Sequence, residues 1–185
     1  MKVCIVSDSH DNRALLATAV HDAKSRGAEI ILHCGDVIAP TTLRGLPPIG
    51  LPVHVIHGNN TGDLVNMHAV MKTFPDIIHY HGQDAVLEMG GRKIFLVHYP
   101  HYANAMALTG DYDLVCCGHD HRFLVEQIKT IKGTETTLVN PGTVGGIGKP
   151  PTYVIGDLEK MEFEIHSVPT EYPVINNTDP VTPHK

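Results

Sequence analysis

Five short groups of side chains carry the donor atoms of a metal site: Asp8-Ser9-His10, Gly35-Asp36, Gly58-Asn59, His98 and Gly118-His119-Asp120-His121. In an Asp-x-His or His-x-His on a loop leaving a strand, alternate side chains project to one side, so both can grip one ion. Carboxylate, imidazole and amide oxygen together make a mixed nitrogen and oxygen set. That set suits borderline divalent ions such as Mn²⁺, Fe²⁺, Ni²⁺, Co²⁺ or Zn²⁺, and suits Ca²⁺ poorly. The donors are too many for one tetrahedral ion and suffice for two if a carboxylate bridges. Two ions ~3.5–4 Å apart are a recurring device for displacing an ester at phosphorus. Taken singly, each group is also an ordinary turn or a surface histidine. What singles them out is their conjunction, in order, each just after a predicted strand, with Gly-His-x-His last.

The elements that must position them follow from periodicity. Lys2–Ser7 is a β-branched run and reads as a buried strand. Asn12–Arg26 has helical spacing through Leu15, Leu16, Ala19, Val20 and Ala23, and Gly27 ends it. Glu29–Cys34 and Val53–His57 are the next strands, with a short helical stretch at Thr41–Gly45 cut off by Pro47-Pro48. This β-α-β-α-β order implies a largely parallel sheet, in which ligands bind at the carboxyl ends of the strands. The second half is richer in strands. Ile77–Tyr80, Ala85–Met89 and Lys93–His98 are candidates, with Gly90-Gly91 as a hairpin turn. Tyr102–Leu108 reads as helix and Leu114–Cys117 as a short buried strand. Phe123–Ile131 pairs with Thr136–Val139, and Thr152–Asp157 with Met161–Val168. Two sheets packed face to face, with helices outside, fit this order.

Composition bounds the function. The chain has 185 residues, with 14 Lys and Arg against 20 Asp and Glu, a formal charge of −6. Its 42% hydrophobic content suits a globular domain, read as residues 1–168, with a Pro-rich C-terminal tail over 169–185. The acidic balance excludes a broad basic nucleic-acid face, so a phosphate-bearing ligand needs local positive charge. No stretch approaches the ~18 apolar residues of a membrane span. Asp8 interrupts any signal-peptide core. Cys4, Cys34, Cys116 and Cys117 form no C-x-x-C pair and read as buried strand residues, so a reducing cytoplasm is expected. The oligomeric state stays open, a homo-oligomer included. Histidine is the one unusual count, at 14.

The order Asp-x-His, Gly-Asp, Gly-Asn, His, Gly-His-x-His resembles the calcineurin-like metallophosphoesterases. Ser7-Asp8-Ser9-His10-Asp11-Asn12, His33-Cys34-Gly35-Asp36 and Asn140-Pro141-Gly142-Thr143 resemble the smallest members, the YfcE-like phosphodiesterases. The resemblance runs from about Met1 to Asp157. It implies an α/β fold, a four-layer α/β/β/α sandwich of two mixed β-sheets flanked by helices, with a dinuclear site between the sheet edges. Carried over position by position, Asp8, His10, Asp36 and His121 would hold a first divalent ion. Asp36 would bridge, and Asn59, His98 and His119 would complete a second. Mn²⁺ heads the candidates, with Ni, Fe, Co or Zn behind it. Asn59 would also touch a phosphate oxygen, and the Asn140–Thr143 turn would pack beneath the site. The implied activity is hydrolysis of a small phosphodiester by hydroxide formed at two metal ions. The alternatives are a phosphomonoesterase or nucleotide phosphatase on the same site, and a catalytically weak scaffold similar to a retromer subunit.

Two departures from that pattern matter. Many members have His after Gly-Asn, assigned to the leaving group, and here Asn60 stands there. An amide cannot give up a proton and stay neutral, so Asn60 can only orient or hydrogen-bond. Members usually have Gly-His after the lone His, where this chain has Tyr99-Pro100. His101 is then a candidate for proton donation or phosphate contact, with an ordinary surface position as its competitor. Arg13, opening the first helix, is a second candidate phosphate contact. His33 and His57 are read either as groups behind the ligands or as strand residues facing away.

Overall fold

A computed structural model describes residues 1–169. Its elements are β1 (Lys2–Val6), α1 (Arg13–Ser25), β2 (Ile30–His33), β3 (Val53–Val55), α2 (Leu64–Thr73), β4 (Ile78–Tyr80), β5 (Asp84–Met89), β6 (Arg92–Val97), α3 (Pro100–Thr109), β7 (Leu114–Cys116), β8 (Phe123–Lys129), β9 (Glu135–Pro141), β10 (Thr152–Asp157) and β11 (Glu162–Ser167). The strands form a six-stranded sheet in the order β11-β10-β1-β2-β3-β4 and a five-stranded sheet in the order β5-β6-β7-β9-β8. Both are mixed. Neighbours β1 to β4 run parallel, as do β6, β7 and β9, while β10, β11, β5 and β8 add antiparallel edges.

The period of two in the strands sorts the core into three slabs. Val3 and Ile5 of β1 face the second sheet, together with Ile30, Leu32, Ile94, Leu96, Leu114 and Cys116. Cys4 and Val6 face the other way, onto Leu16, Ala19, Val20 and Ala23 of α1 and Met67 and Val70 of α2. Phe95, Val97, Val115 and Cys117 lie on the far side of the second sheet against Ala103 and Ala107 of α3. Each side chain such as Leu16, fully removed from water, contributes about 1.5–3 kcal/mol. The result is the four-layer α/β/β/α sandwich expected from the sequence. All four cysteines are free and buried; Cys4 and Cys116 lie in strands as expected, whereas Cys34 and Cys117 directly follow β2 and β7.

Local chemistry explains the element ends. Asn12 caps α1, its side-chain oxygen accepting from the Leu15 N–H at 3.2 Å. Gly90 and Gly91 take φ of +57° and +73°, the left-handed pair a two-residue hairpin turn needs, and join β5 to β6. Thr41–Gly45 forms a 3-10 helix over Pro40–Gly45, with a second turn at Pro47–Ile49. One helix departs from expectation. Hydrophobic periodicity does not announce α2, because it buries only Met67 and Val70 and leaves Val65 exposed. Its start is nevertheless encoded: the Asp63 carboxylate accepts from the Asn66 N–H at 2.9 Å. The expected tail lies outside the described residues except for Pro169. Among the described residues, no helix is long and apolar enough to cross a membrane.

Candidate metal centre

The five predicted groups lie on loops at the carboxyl ends of β1, β2, β3, β6 and β7. Parallel pairing puts the first three ends on one edge and the last two on the edge facing it. The His119 N–H ties the two edges directly, donating to Asp8 Oδ2 at 3.0 Å, while the Gly118 N–H donates to the His98 carbonyl within the second edge. Asp8, His10, Asp36, His119 and His121 all have left-handed φ, between +41° and +77°. Asp and His are among the non-glycine residues that tolerate this region, at a cost of order 1–3 kcal/mol each. The chain leaves each strand and turns back sharply, which aims the side chains at one point. Glycine is needed where backbone approaches them. A Cβ on Gly58 would stand 2.1 Å from Asp36 Oδ1 and 2.7 Å from the His98 ring.

All seven sequence-predicted ligands converge. His121 Nε2 lies 3.3 Å from both Asp8 Oδ1 and His10 Nε2. His10 Nε2 stands 3.7 Å from Asp8 Oδ1 and from Asp36 Oδ2. On the other side, His98 Nε2 is 3.3 Å from Asp36 Oδ1 and 3.0 Å from Asn59 Oδ1, and His119 Nδ1 is 2.8 Å from that same Asn59 oxygen. The two carboxylate oxygens of Asp36 therefore face opposite halves of the cluster.

Two observations show that this donor set fits a cation. First, the His98 Nδ1–H donates to the Cys34 carbonyl and the His121 Nδ1–H to the Ile147 carbonyl, each at 2.8 Å. With each ring neutral, Nε2 is then a lone-pair donor turned towards the carboxylates of Asp36 and Asp8, as a metal ligand requires. Second, Asp8 Oδ1 is buried without any hydrogen-bond partner and faces His10 and His121. An orphaned buried carboxylate oxygen is costly unless positive charge meets it. Burial also pushes the Asp8 carboxyl above its usual range.

Around this centre the remaining candidates take distinct places. Asn60 holds Asp36, its N–H donating to Oδ1 at 2.9 Å and its side-chain amide to Oδ2 at 2.6 Å. The Asn140–Thr143 turn lies beneath: the Thr143 hydroxyl donates to the Asp8 carbonyl at 2.9 Å, and the Asn140 amide to the Gly118 carbonyl and Asp120 Oδ1. His33 is buried, bonds Ser9 Oγ at 3.0 Å and is pulled down to about 3 by burial, so it stays neutral behind the first loop. His57 bonds the Tyr80 hydroxyl instead of any ligand. Arg13 is exposed at the first position of α1. His101 is exposed in the first turn of α3 and packs on Tyr99 and Tyr102, with ring centroids 5.6 and 4.1 Å away. Tyr99, not His101, touches the cluster, its ring 5.0 Å from His119. Asp11 and Asp120 were missed as loop anchors. Asp11 accepts from the Ala39 N–H and the Thr42 hydroxyl, and Asp120 from Asn140 and the Arg122 N–H. A sequence signal existed for Asp120, since alternation turns it away from the ligands on either side.

The family model for the calcineurin-like phosphoesterase superfamily domain matches residues 1–161. The chain belongs to that superfamily. It is thus a metallophosphoesterase by class. A phosphodiesterase of Methanocaldococcus jannaschii is 28% identical over 168 residues, covering 88% of this chain and 96% of its own. The solved structure of an archaeal phosphodiesterase superposes with a TM-score of 0.80 at 26% identity, over 90% of this chain and 99% of the other. The Yfce phosphoesterase of E. coli has the same fold, with a TM-score of 0.59 at 19% identity over 91% of this chain and all (100%) of that one. Superfamily membership and similarity to these proteins agree with the YfcE-like resemblance read from the motifs.

Proposed function

We propose that the protein is a phosphodiesterase acting on small or exposed phosphodiesters through two divalent ions, Mn²⁺ the first candidate. The observation that carries this reading is the pair of converging lone-pair clusters shared across Asp36. Asp8, His10, His121 and Asp36 would hold one ion, and Asp36, Asn59, His98 and His119 the other. Bound there, such ions lower the pKa of a water towards neutrality and neutralise charge gathering on phosphoryl oxygens. The chain's own residues do the rest. Asn60 fixes both oxygens of Asp36. Cys34 and Ile147 lock the two imidazoles in the tautomer that presents Nε2. Asn59, exposed at the rim, meets a phosphate oxygen, and Arg13, exposed at the start of α1, is the candidate for a second such contact.

Asn60 cannot protonate a leaving group, and His101 remains the candidate in this chain for that role. Esters with good leaving groups are therefore favoured. With every candidate ligand in place, a weak scaffold similar to a retromer subunit is the poorer reading. The local positive charge of two ions also removes the conflict between an acidic chain and a phosphate substrate, and the reducing cytoplasm is the compartment we assign. The test is turnover of an aryl phosphodiester and the matching aryl monoester after reconstitution with each candidate metal. A higher kcat/KM on the diester is expected. Faster monoester turnover would replace the assignment with a phosphomonoesterase, and no turnover with any metal would leave a scaffold.

A further inference from the structure

A cleft of about 190 Å³ adjoins the Asn59, His98 and His119 half of the centre, lined by His57, Gly58, Gln83, Val97, His98 and Tyr99. It shares Gly58 and His98 with the site itself. A phosphodiester held at the centre has two ester arms, and this cleft lies where one of them can go. Its lining decides which kind of arm. Among the described residues, no Lys, Arg, Asp or Glu lines it, so it offers no charged partner to a second phosphate or an ammonium group. Val97 and the Tyr99 ring give apolar and π surface, and His57 adds an imidazole already committed through Nδ1 to the Tyr80 hydroxyl at 2.5 Å. Exposed Gln83 brings a carboxamide, which donates and accepts at once.

Tyr99 is held in place. It caps α3 in an extended conformation, with Pro100 as the first helical residue. Its ring packs near-perpendicular on His98 and His119, at 5.3 and 5.0 Å. A fixed aromatic wall, an uncharged interior and one amide that reads a donor and acceptor edge together match a flat heterocycle. We propose that this cleft receives the nucleobase of a nucleoside ester arm, with Tyr99 as the stacking wall and Gln83 as the group that reads the base edge. The proposal rests on the phosphodiesterase reading and adds the substrate class to it.

Calorimetric titration of the Mn²⁺-loaded protein with adenosine monophosphate and with ribose phosphate separates base from sugar phosphate without needing turnover. The nucleotide should bind about tenfold more tightly. That ratio should persist in Tyr99→Phe and fall to about threefold or less in Tyr99→Ala and in Gln83→Ala. Among the described residues, none of the hydrogen bonds of the candidate ligands runs to Gln83, so the second variant separates lost reading of the base from a disturbed centre. Equal binding of the two phosphates, or an unchanged ratio in Gln83→Ala and Tyr99→Ala, overturns the proposal. Aryl diester turnover by the same preparation is scored separately. Its absence would count against the phosphodiesterase reading, while equal binding with turnover intact would count against the nucleobase cleft alone.

Discussion

Asn60 is where the chain departs most from the motif it resembles, and the structure gives that residue a place. Its backbone and side chain donate one hydrogen bond to each oxygen of Asp36, the carboxylate shared by both halves of the cluster. It therefore acts on the orientation of a candidate ligand. Residues in that position behind a metal ligand commonly change affinity or activity by 10–100-fold. Asn60→Ala should weaken Mn²⁺ binding, measured by calorimetry, by about that factor, with a parallel fall in kcat. Asp36→Asn should cost more in both, since it removes a charge as well as a bridging oxygen. Unchanged affinity in Asn60→Ala would show that Asp36 is positioned without it. The ligand types were legible in the sequence, because Asp-x-His and His-x-His each point two donors to one side. The partners of those donors were not, since Asp36 meets Asn60 only after β2 and β3 pair.

At the scale of elements, the helices are unequally rooted. α1 is tied to the first sheet by a buried polar group as well as by its apolar face. The Asp22 carboxylate accepts from the Tyr153 hydroxyl and from Arg26 Nε. Burial alone would push Asp22 up, but the Tyr153 hydrogen bond and the Arg26 guanidinium outweigh it and hold the carboxyl below its usual range. The folded value lies under the unfolded one, so this contribution is fully present above the ordinary carboxylate pKa of about 3.9 and is lost as pH falls through that value and below. Asp22→Ala should cost about 1–3 kcal/mol near neutrality, from denaturant unfolding, and flatten the acid limb of the stability profile. A variant as stable as wild type at neutral pH, with the same acid limb, would show that the network contributes nothing. α2 rests on Met67 and Val70, and Met67→Ala should cost about 2–5 kcal/mol. The same contrast explains what the periodicity revealed. α1 buries a continuous stripe and announced itself, whereas α2 buries two side chains and did not. Strands buried on both faces, such as β1 and β7, were plain because both faces pack on other layers.

For the molecule as a whole, the site closes the sandwich. Its candidate ligands come from both sheets, so a cation held by Asp8, His10, Asp36 and His121, or by Asp36, Asn59, His98 and His119, would clamp one sheet edge to the other. Binding to the folded state alone adds about 2.7 kcal/mol at a hundredfold excess over Kd, and about 2–4 °C in Tm per kcal/mol for a chain of this size. Chelation should lower Tm by several degrees, and Mn²⁺ should restore it. A Tm indifferent to both would mean that the clusters hold no ion in solution. The order of layers could be read from the alternation of β and α segments, but which strand ends meet could not. That depends on the packing of one sheet on the other, through residues such as Ile5, Leu32 and Leu96 that are far apart in the chain.

The most direct test of the central claim is a Mn²⁺ titration of metal-stripped protein while following hydrolysis of an aryl phosphodiester. No turnover is expected at the start, followed by a rise to a plateau at about two ions per chain. Turnover by the stripped protein, or none at any Mn²⁺ concentration, would contradict it.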